Sequence, residues 1–231
     1  MRIILDTASL ADIEYFTTFY PIEGVTTNPT ILAREGGNVV ENLLAIRRLI
    51  GENMEFHVQT TETEYDKIVE EAEAIVGLLG KNTYVKIPIT DSGIRATKTL
   101  SKRGIGITVT AVLSAAQAML ASNAGASYVA PYISRSENLC ADGVGTVEDI
   151  ARIFSFSGAK TQILAASFKT AKEVLDVAVV GCHAATIGPD IMRMLISHTS
   201  TDTSIAGFAH DWIKTFGSAS LREQIEKYNK H

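Results

Sequence analysis

The chain has no excess of positive charge, no paired-cysteine spacing and no nucleotide-loop motif, and each absence removes a class of function. Lys and Arg number 21 against 26 Asp and Glu, for a net charge of -5 and a pI of about 5.6. That balance does not attract nucleic acid or an anionic membrane, so neither is an expected partner, and any phosphate site has to be a local positive patch. The two cysteines, Cys140 and Cys182, form no CxxC and have no metal spacing. The opening MRIILDTASL reaches Asp6 too early for the apolar core of an export signal. Together these features predict free thiols in a reducing compartment and a cytoplasmic location. His57, His183, His198, His210 and His231 have no ligand spacing, so neither a metal nor another cofactor is expected. No GxSxG elbow supports a serine hydrolase. No GxGxxG follows the first strand, which deprives a dinucleotide-binding sheet of its usual support.

Charge is also missing over residues 104–134, where there is no Asp, Glu, Lys or Arg. The length fits a membrane span, but Gly104, Gly106, Gln117, Asn123, Gly125, Pro131 and many hydroxyls break it. Strand, buried-face helix, strand is the better reading.

What remains is a chain of 231 residues, 46% apolar and 20% charged, enough for one domain with a substantial core. Its organising stretch is Tyr84-Val85-Lys86-Ile87-Pro88-Ile89, a strand with one lysine in an apolar or aromatic run. Lysine is seldom fully buried without a partner or a chemical role. A lysine kept from full solvation can lose its proton near neutral pH and act as a nucleophile. The plainer reading is an edge-strand lysine that discourages aggregation.

Strand signals at 2–6, 24–27, 56–59, 84–89, 106–110, 127–130, 162–165 and 183–187 alternate with helical patterns. Helices are expected over 9–19, 39–50, 62–79, 94–101, 114–122, 170–179 and 189–195, with a short one beginning near Pro29. The helix at 94 is expected to be capped from Asp91/Ser92. After the sixth strand, residues 131–145 read as an irregular polar loop, followed by a helix capped by Thr146. Eight strand–helix units over 2–195 predict an α/β fold, a (β/α)8 TIM barrel. A doubly wound open sheet is the alternative. Residues 1–200 are assigned to the barrel and 201–231 to a C-terminal helical extension of the same domain. Phe208, Trp212 and Phe216 give that extension a bulky face, packed on the barrel or on a neighbouring subunit.

In such a barrel the chemistry collects at the C-terminal ends of the strands. The polar residues placed there are Asp6, Thr26, Asn28, Gln59, Lys86, Thr110, Tyr132, Arg135, Ser167 and Lys169. Each has a plainer role: Asp6 as a cap, Thr26 as a strand former, Asn28 in a turn, Gln59 in a loop, Arg135 as a solvated charge. Grouped around one lysine they suit imine chemistry. A deprotonated amine adds to a ketone, and the protonated imine draws electrons from the adjacent carbon–carbon bond, which allows retro-aldol cleavage. Asp6 suits proton exchange at the C4 hydroxyl. Gln59 can only orient water or a hydroxyl, whereas Tyr132 can orient water and donate. Asn28 suits substrate hydroxyls, and Arg135, Ser167 and Lys169 suit a phosphate clamp, with small residues at 165–166 leaving backbone N–H groups open.

Leu5-Asp6-Thr7, Gly24-Val25-Thr26-Thr27-Asn28-Pro29, Val85-Lys86-Ile87-Pro88, Tyr128-Val129-Ala130-Pro131-Tyr132, Arg135 and Ala165-Ala166-Ser167-Phe168-Lys169 resemble the small transaldolase and fructose-6-phosphate aldolase family. The resemblance implies a class I aldolase barrel with Lys86 forming the Schiff base, Asp6 at the C4 hydroxyl and Asn28 on substrate. It implies Arg135, Ser167 and Lys169 on the phosphate of a phosphorylated sugar, and a homo-oligomer, a pentamer or decamer whose C-terminal helix reaches a neighbour. In this family transaldolases place a glutamate at the end of strand three and a phenylalanine after the Ala-Pro of strand six. Gln59 and Tyr132 follow the fructose-6-phosphate aldolase pattern instead. Strand five has Thr108 and Leu113 where transaldolases carry asparagine and phenylalanine, and loop six departs from the family pattern after Arg135. The expected activity is cleavage of fructose 6-phosphate, with transaldolase transfer as the alternative. An aldolase acting on deoxyribose phosphate suits the chemistry, but it would call for a second lysine beside Lys86.

Overall fold

The computed structural model describes residues 1–230; His231, one of the five histidines considered above, lies outside the described residues. Eight parallel strands close into a barrel in chain order: β1 (Arg2–Asp6), β2 (Ile22–Thr26), β3 (Glu55–Gln59), β4 (Thr83–Pro88), β5 (Gly106–Val112), β6 (Tyr128–Pro131), β7 (Gln162–Ala165) and β8 (Ala184–Ile187). The open-sheet alternative is thereby excluded. The strands are short and rich in β-branched residues. Outward-facing Leu5, Val25, Phe56, Val58, Val85, Ile87, Ile107 and Val129 are buried under the helices.

Those helices are α1 (Leu10–Phe19), α2 (Pro29–Glu35), α3 (Val39–Ile50), α4 (Tyr65–Leu79), α5 (Asp91–Lys102), α6 (Ala115–Asn123), α7 (Ile133–Glu137), α8 (Gly143–Ser157), α9 (Ala171–Val179) and α10 (Pro189–Ile196). Most begin on a capping side chain: Ser9, Asn28, Asn38, Thr90, Ser114, Asp142 and Thr170 each accept from a backbone N–H of the first turn.

Four expectations are corrected. The α4 helix starts at Tyr65 rather than 62, because the Glu71 carboxylate takes the N–H groups of Thr61 and Glu62 at 2.9 and 3.0 Å and holds them outside the helix. The cap of α5 is Thr90, whose hydroxyl accepts from Gly93 N, so Asp91 and Ser92 lie inside the helix. Residues 131–145 are not an irregular loop throughout. They contain the single-turn helix α7, tied to the segment just after β7 by Ile133 N donating to Ala166 O and Ser134 N to Ser167 O. The next helix starts at Gly143, capped by Asp142 rather than Thr146. A Cβ at Gly143 would lie 2.9 Å from Ile133 O, so close packing against α7 requires the glycine.

The barrel interior is polar at its base. Arg2 donates to Glu55 Oε1 at 2.8 Å, to Gln162 Oε1 at 2.5 Å and to the Tyr128 hydroxyl, which itself donates to Glu55. His57 lies above them, fully buried, with Nε2 3.3 Å from Glu55 and Nδ1 2.8 Å from Thr108 Oγ1. Its ring stacks on Tyr84 at 4.8 Å. Burial, opposed by Glu55 and reinforced by Lys86 and Arg2, lowers the His57 pKa. His57 is therefore a hydrogen-bonded core histidine.

Contact density separates residues 1–192 from residues 193–231. The second unit carries α11 (Thr199–Phe216) and α12 (Leu221–Tyr228). Trp212 donates from Nε1 to Ala219 O and packs on Phe216, whereas Ile205, Phe208, Ile213 and Phe216 are exposed.

Candidate active site

Strand register sets the site. Asp6 pairs with Thr26, Gln59 with Lys86, and Pro88 with Thr110, while Tyr132 bridges Ala166. These are the C-terminal ends of the strands, where side chains that alternate inward meet at one mouth.

Lys86 is buried, and its Nζ donates to the carbonyl of Thr27 at 2.8 Å. Burial lowers its pKa, Asp6 opposes that shift and Arg135 adds to it. Asp6 moves the opposite way. Burial raises its pKa, while Lys86, a hydrogen bond from Thr26 and the charge of Arg135 hold the rise in check. Thr26 Oγ1 donates to Asp6 Oδ1 at 2.6 Å and lies 2.5 Å from Thr186 Oγ1. The proton affinities of the amine and the carboxyl are thus driven toward each other.

A second group surrounds Tyr132. A register shift between Val109 and Val112, with Ala111 at φ 59°, puts a bulge in β5. Beside it, Thr110 Oγ1 lies 3.1 Å from the Tyr132 hydroxyl. The guanidinium of Arg135 sits 4.4 Å over the Tyr132 ring.

The remaining residues are less closely tied. Asn28 caps α2 through Oδ1, which accepts from Ile31 N at 3.0 Å, leaving its NH2 group as the one available to a ligand. The Gln59 side chain is half-buried and makes no hydrogen bond among the described residues. Ser167 holds a left-handed backbone at φ 66°, costly for a residue with a Cβ and typical of functional turns. Lys169 is exposed, and Glu173 accepts from its backbone N–H at 2.6 Å and from that of Thr170 at 3.1 Å. Those two N–H groups at the start of the helix are therefore taken.

Three partners were missed by sequence reasoning. The Thr27 carbonyl holds Lys86, Thr108 holds His57, and Thr186 meets Thr26. Adjacency of Thr27 to Thr26 was the one available signal; the other two partners come from strands distant in sequence. Among the described residues no group of three or more His, Cys, Asp or Glu could hold a metal ion, and no helix is long and apolar enough to cross a membrane.

A family model described as transaldolase/fructose-6-phosphate aldolase matches residues 3–229. A probable fructose-6-phosphate aldolase of Streptococcus pneumoniae is 36% identical over 96% of this chain and 100% of its own length. Probable transaldolases of Kosmotoga olearia and Brevibacillus brevis are 40% and 39% identical, each over 92% of this chain and over 96% and 98% of their own lengths. Among solved structures, a chain described as native KDPGal superposes with a TM-score of 0.57 at 14% identity, over 81% of this chain and 82% of its own. Thiamine phosphate pyrophosphorylase from Pyrococcus furiosus does so with 0.58 at 15%, over 81% and 85%. At those identities the likeness is one of fold alone.

Proposed function

The chain belongs to the transaldolase/fructose-6-phosphate aldolase family, and on that premise we propose that it is a class I aldolase cleaving fructose 6-phosphate reversibly to dihydroxyacetone and glyceraldehyde 3-phosphate. The observation that carries this reading is the buried Lys86 amine, its pKa lowered by burial, in the electrostatic reach of a half-buried Asp6. Lys86 Nζ adds to the C2 carbonyl, and loss of water from the carbinolamine gives the protonated imine. Asp6 takes the C4 hydroxyl proton, the C3–C4 bond breaks, and its electron pair moves into the enamine as glyceraldehyde 3-phosphate leaves. Protonation at C3 and hydrolysis then release dihydroxyacetone and the free amine.

In this reading Tyr132, held by Thr110 at 3.1 Å, places the water, and Gln59 orients it without titrating. Thr26 holds Asp6, and the Asn28 NH2 group receives substrate hydroxyls. Arg135, Ser167 and Lys169 bind the phosphate, Arg135 as a fork and Lys169 as a mobile point charge. The reaction requires no cofactor. The exposed Ile205, Phe208, Ile213 and Phe216 suit packing on another copy, which supports a homo-oligomer, and two free thiols suit a cytoplasmic location.

The second reading is transaldolase, in which the enamine waits for an aldose phosphate. It is favoured by the names of the two relatives at 39% and 40% identity. The pair Gln59 and Tyr132 argues for the first, because a hydroxyl that positions water at the enamine promotes release. The test is an assay of fructose 6-phosphate with and without erythrose 4-phosphate, scoring free dihydroxyacetone. Release without acceptor supports the aldolase; product only with acceptor makes the protein a transaldolase.

A further inference from the structure

Thr186 lies near the C-terminal end of β8 on the inner face of the barrel, with 3% of its surface exposed. Its Oγ1 lies 2.5 Å from Thr26 Oγ1, and Thr26 Oγ1 lies 2.6 Å from Asp6 Oδ1. A threonine hydroxyl has one proton to give and two lone pairs to offer. An ionised Asp6 only accepts, so it takes the Thr26 proton. The contact between the two threonines is then filled by the Thr186 proton, and the chain runs from Thr186 to Thr26 to Asp6.

We infer that Thr186 is a positioning residue for proton exchange at Asp6: it locks the Thr26 hydroxyl on the carboxylate and polarises it, so that Asp6 is ready to accept the C4 proton. The inference rests on the role given to Asp6 and Lys86 above. Chains of this kind strengthen each link, and the link between Thr186 and Thr26 is buried, where a low local dielectric enlarges the effect. The charged groups that face Asp6 are Lys86 from β4 and Arg135 from α7. Thr26 and Thr186, from β2 and β8, are uncharged, so the chain acts by hydrogen bonding alone. Its sign follows from the balance at Asp6. Burial raises the carboxyl pKa and the Thr26 bond opposes the rise, so weakening Thr26 moves the acid limb of activity to higher pH.

The test is Thr186→Val, which keeps the shape and deletes the hydroxyl, with Thr186→Ser to restore it. Turnover of fructose 6-phosphate, with erythrose 4-phosphate present, is followed against pH, and imine formation is followed separately by borohydride trapping of dihydroxyacetone. In Thr186→Val we expect kcat to fall roughly tenfold, KM to hold, the acid limb to shift upward and trapping to stay at the wild-type level. Thr186→Ser is expected to recover kcat and the limb. A Thr186→Val enzyme with wild-type kcat and acid limb overturns the inference, as does a loss that Thr186→Ser fails to restore. Should Thr186→Val lack the wild-type circular dichroism, Thr186→Ala is judged by the same outcomes. A wild type that is not trapped refutes the reading of Lys86 instead.

Discussion

Gly106 and Tyr84 make a prediction whose sign is decided by two opposing effects. Gly106 opens β5 and pairs with Tyr84 of β4. A Cβ added at Gly106 would lie 2.7 and 2.8 Å from Tyr84 Cδ1 and Cε1. Replacing a strand glycine by alanine removes freedom from the unfolded chain and stabilises by about 0.4–1 kcal/mol where the backbone allows it. Against that, overpacking a filled core costs about 1–3 kcal/mol. The Tyr84 ring is stacked on His57 at 4.8 Å and edge-on to Tyr128 at 5.1 Å, so yielding disturbs both contacts. The clash therefore wins, and Gly106→Ala should destabilise the barrel by about 1–2 kcal/mol. In the Tyr84→Val background, where the ring is gone, the same change should be neutral or stabilising. Urea unfolding of the four proteins gives the coupling energy directly. If Gly106→Ala is as stable as wild type with Tyr84 in place, or equally harmful without it, the packing argument is wrong.

Three further outcomes follow from the same geometry. Tyr132→Phe, which removes the hydroxyl bound by Thr110, should depress dihydroxyacetone release by an order of magnitude or more (~10-fold) while sparing transfer to an acceptor. Equal loss of both in paired assays would remove it from water placement. Arg135→Ala should raise KM for phosphorylated ketoses about tenfold with a smaller change in kcat; unchanged saturation would take it out of the phosphate clamp. Burial raises the Glu55 pKa, but hydrogen bonds from His57, Arg2 and Tyr128 outweigh it and bring it from 4.5 to about 2. That depression contributes on the order of 3 kcal/mol, present above pH 4.5 and lost as pH falls through 2. Carboxyl-carbon NMR should find Glu55 ionised at pH 3.5, and a midpoint near 4.5 would contradict the network at the barrel base.

Strand and helix periodicity made most of the barrel legible, because most strands are short, largely apolar runs bounded by turn residues and most helices carry their own cap. The mouth was legible for a related reason. Once the strands are placed, Asp6, Gln59, Lys86 and Thr110 fall at their C-terminal ends by counting alone. Features that depend on two distant segments were not legible. The α7 turn exists because Ile133 and Ser134 hydrogen-bond across to Ala166 and Ser167, and nothing within 131–145 records that. The packing of Gly143 on Ile133 at the start of α8 likewise joins two separate elements. Thr186 is an ordinary strand threonine by itself and acquires its place only when β8 closes the barrel against β1, bringing it to Thr26. Thr170 and Glu173 have the spacing of a capping box, but that Glu173 also takes the backbone N–H of Lys169 shows only in three dimensions.

The central claim concerns one amine. Incubation with dihydroxyacetone, reduction with borohydride and peptide mass mapping tests it most directly. The account predicts a single reduced adduct on Lys86, formed readily near neutral pH because burial lowers the proton affinity of that amine, and no adduct in a folded Lys86→Met protein. An adduct on a different lysine, or none on the wild type, would contradict it.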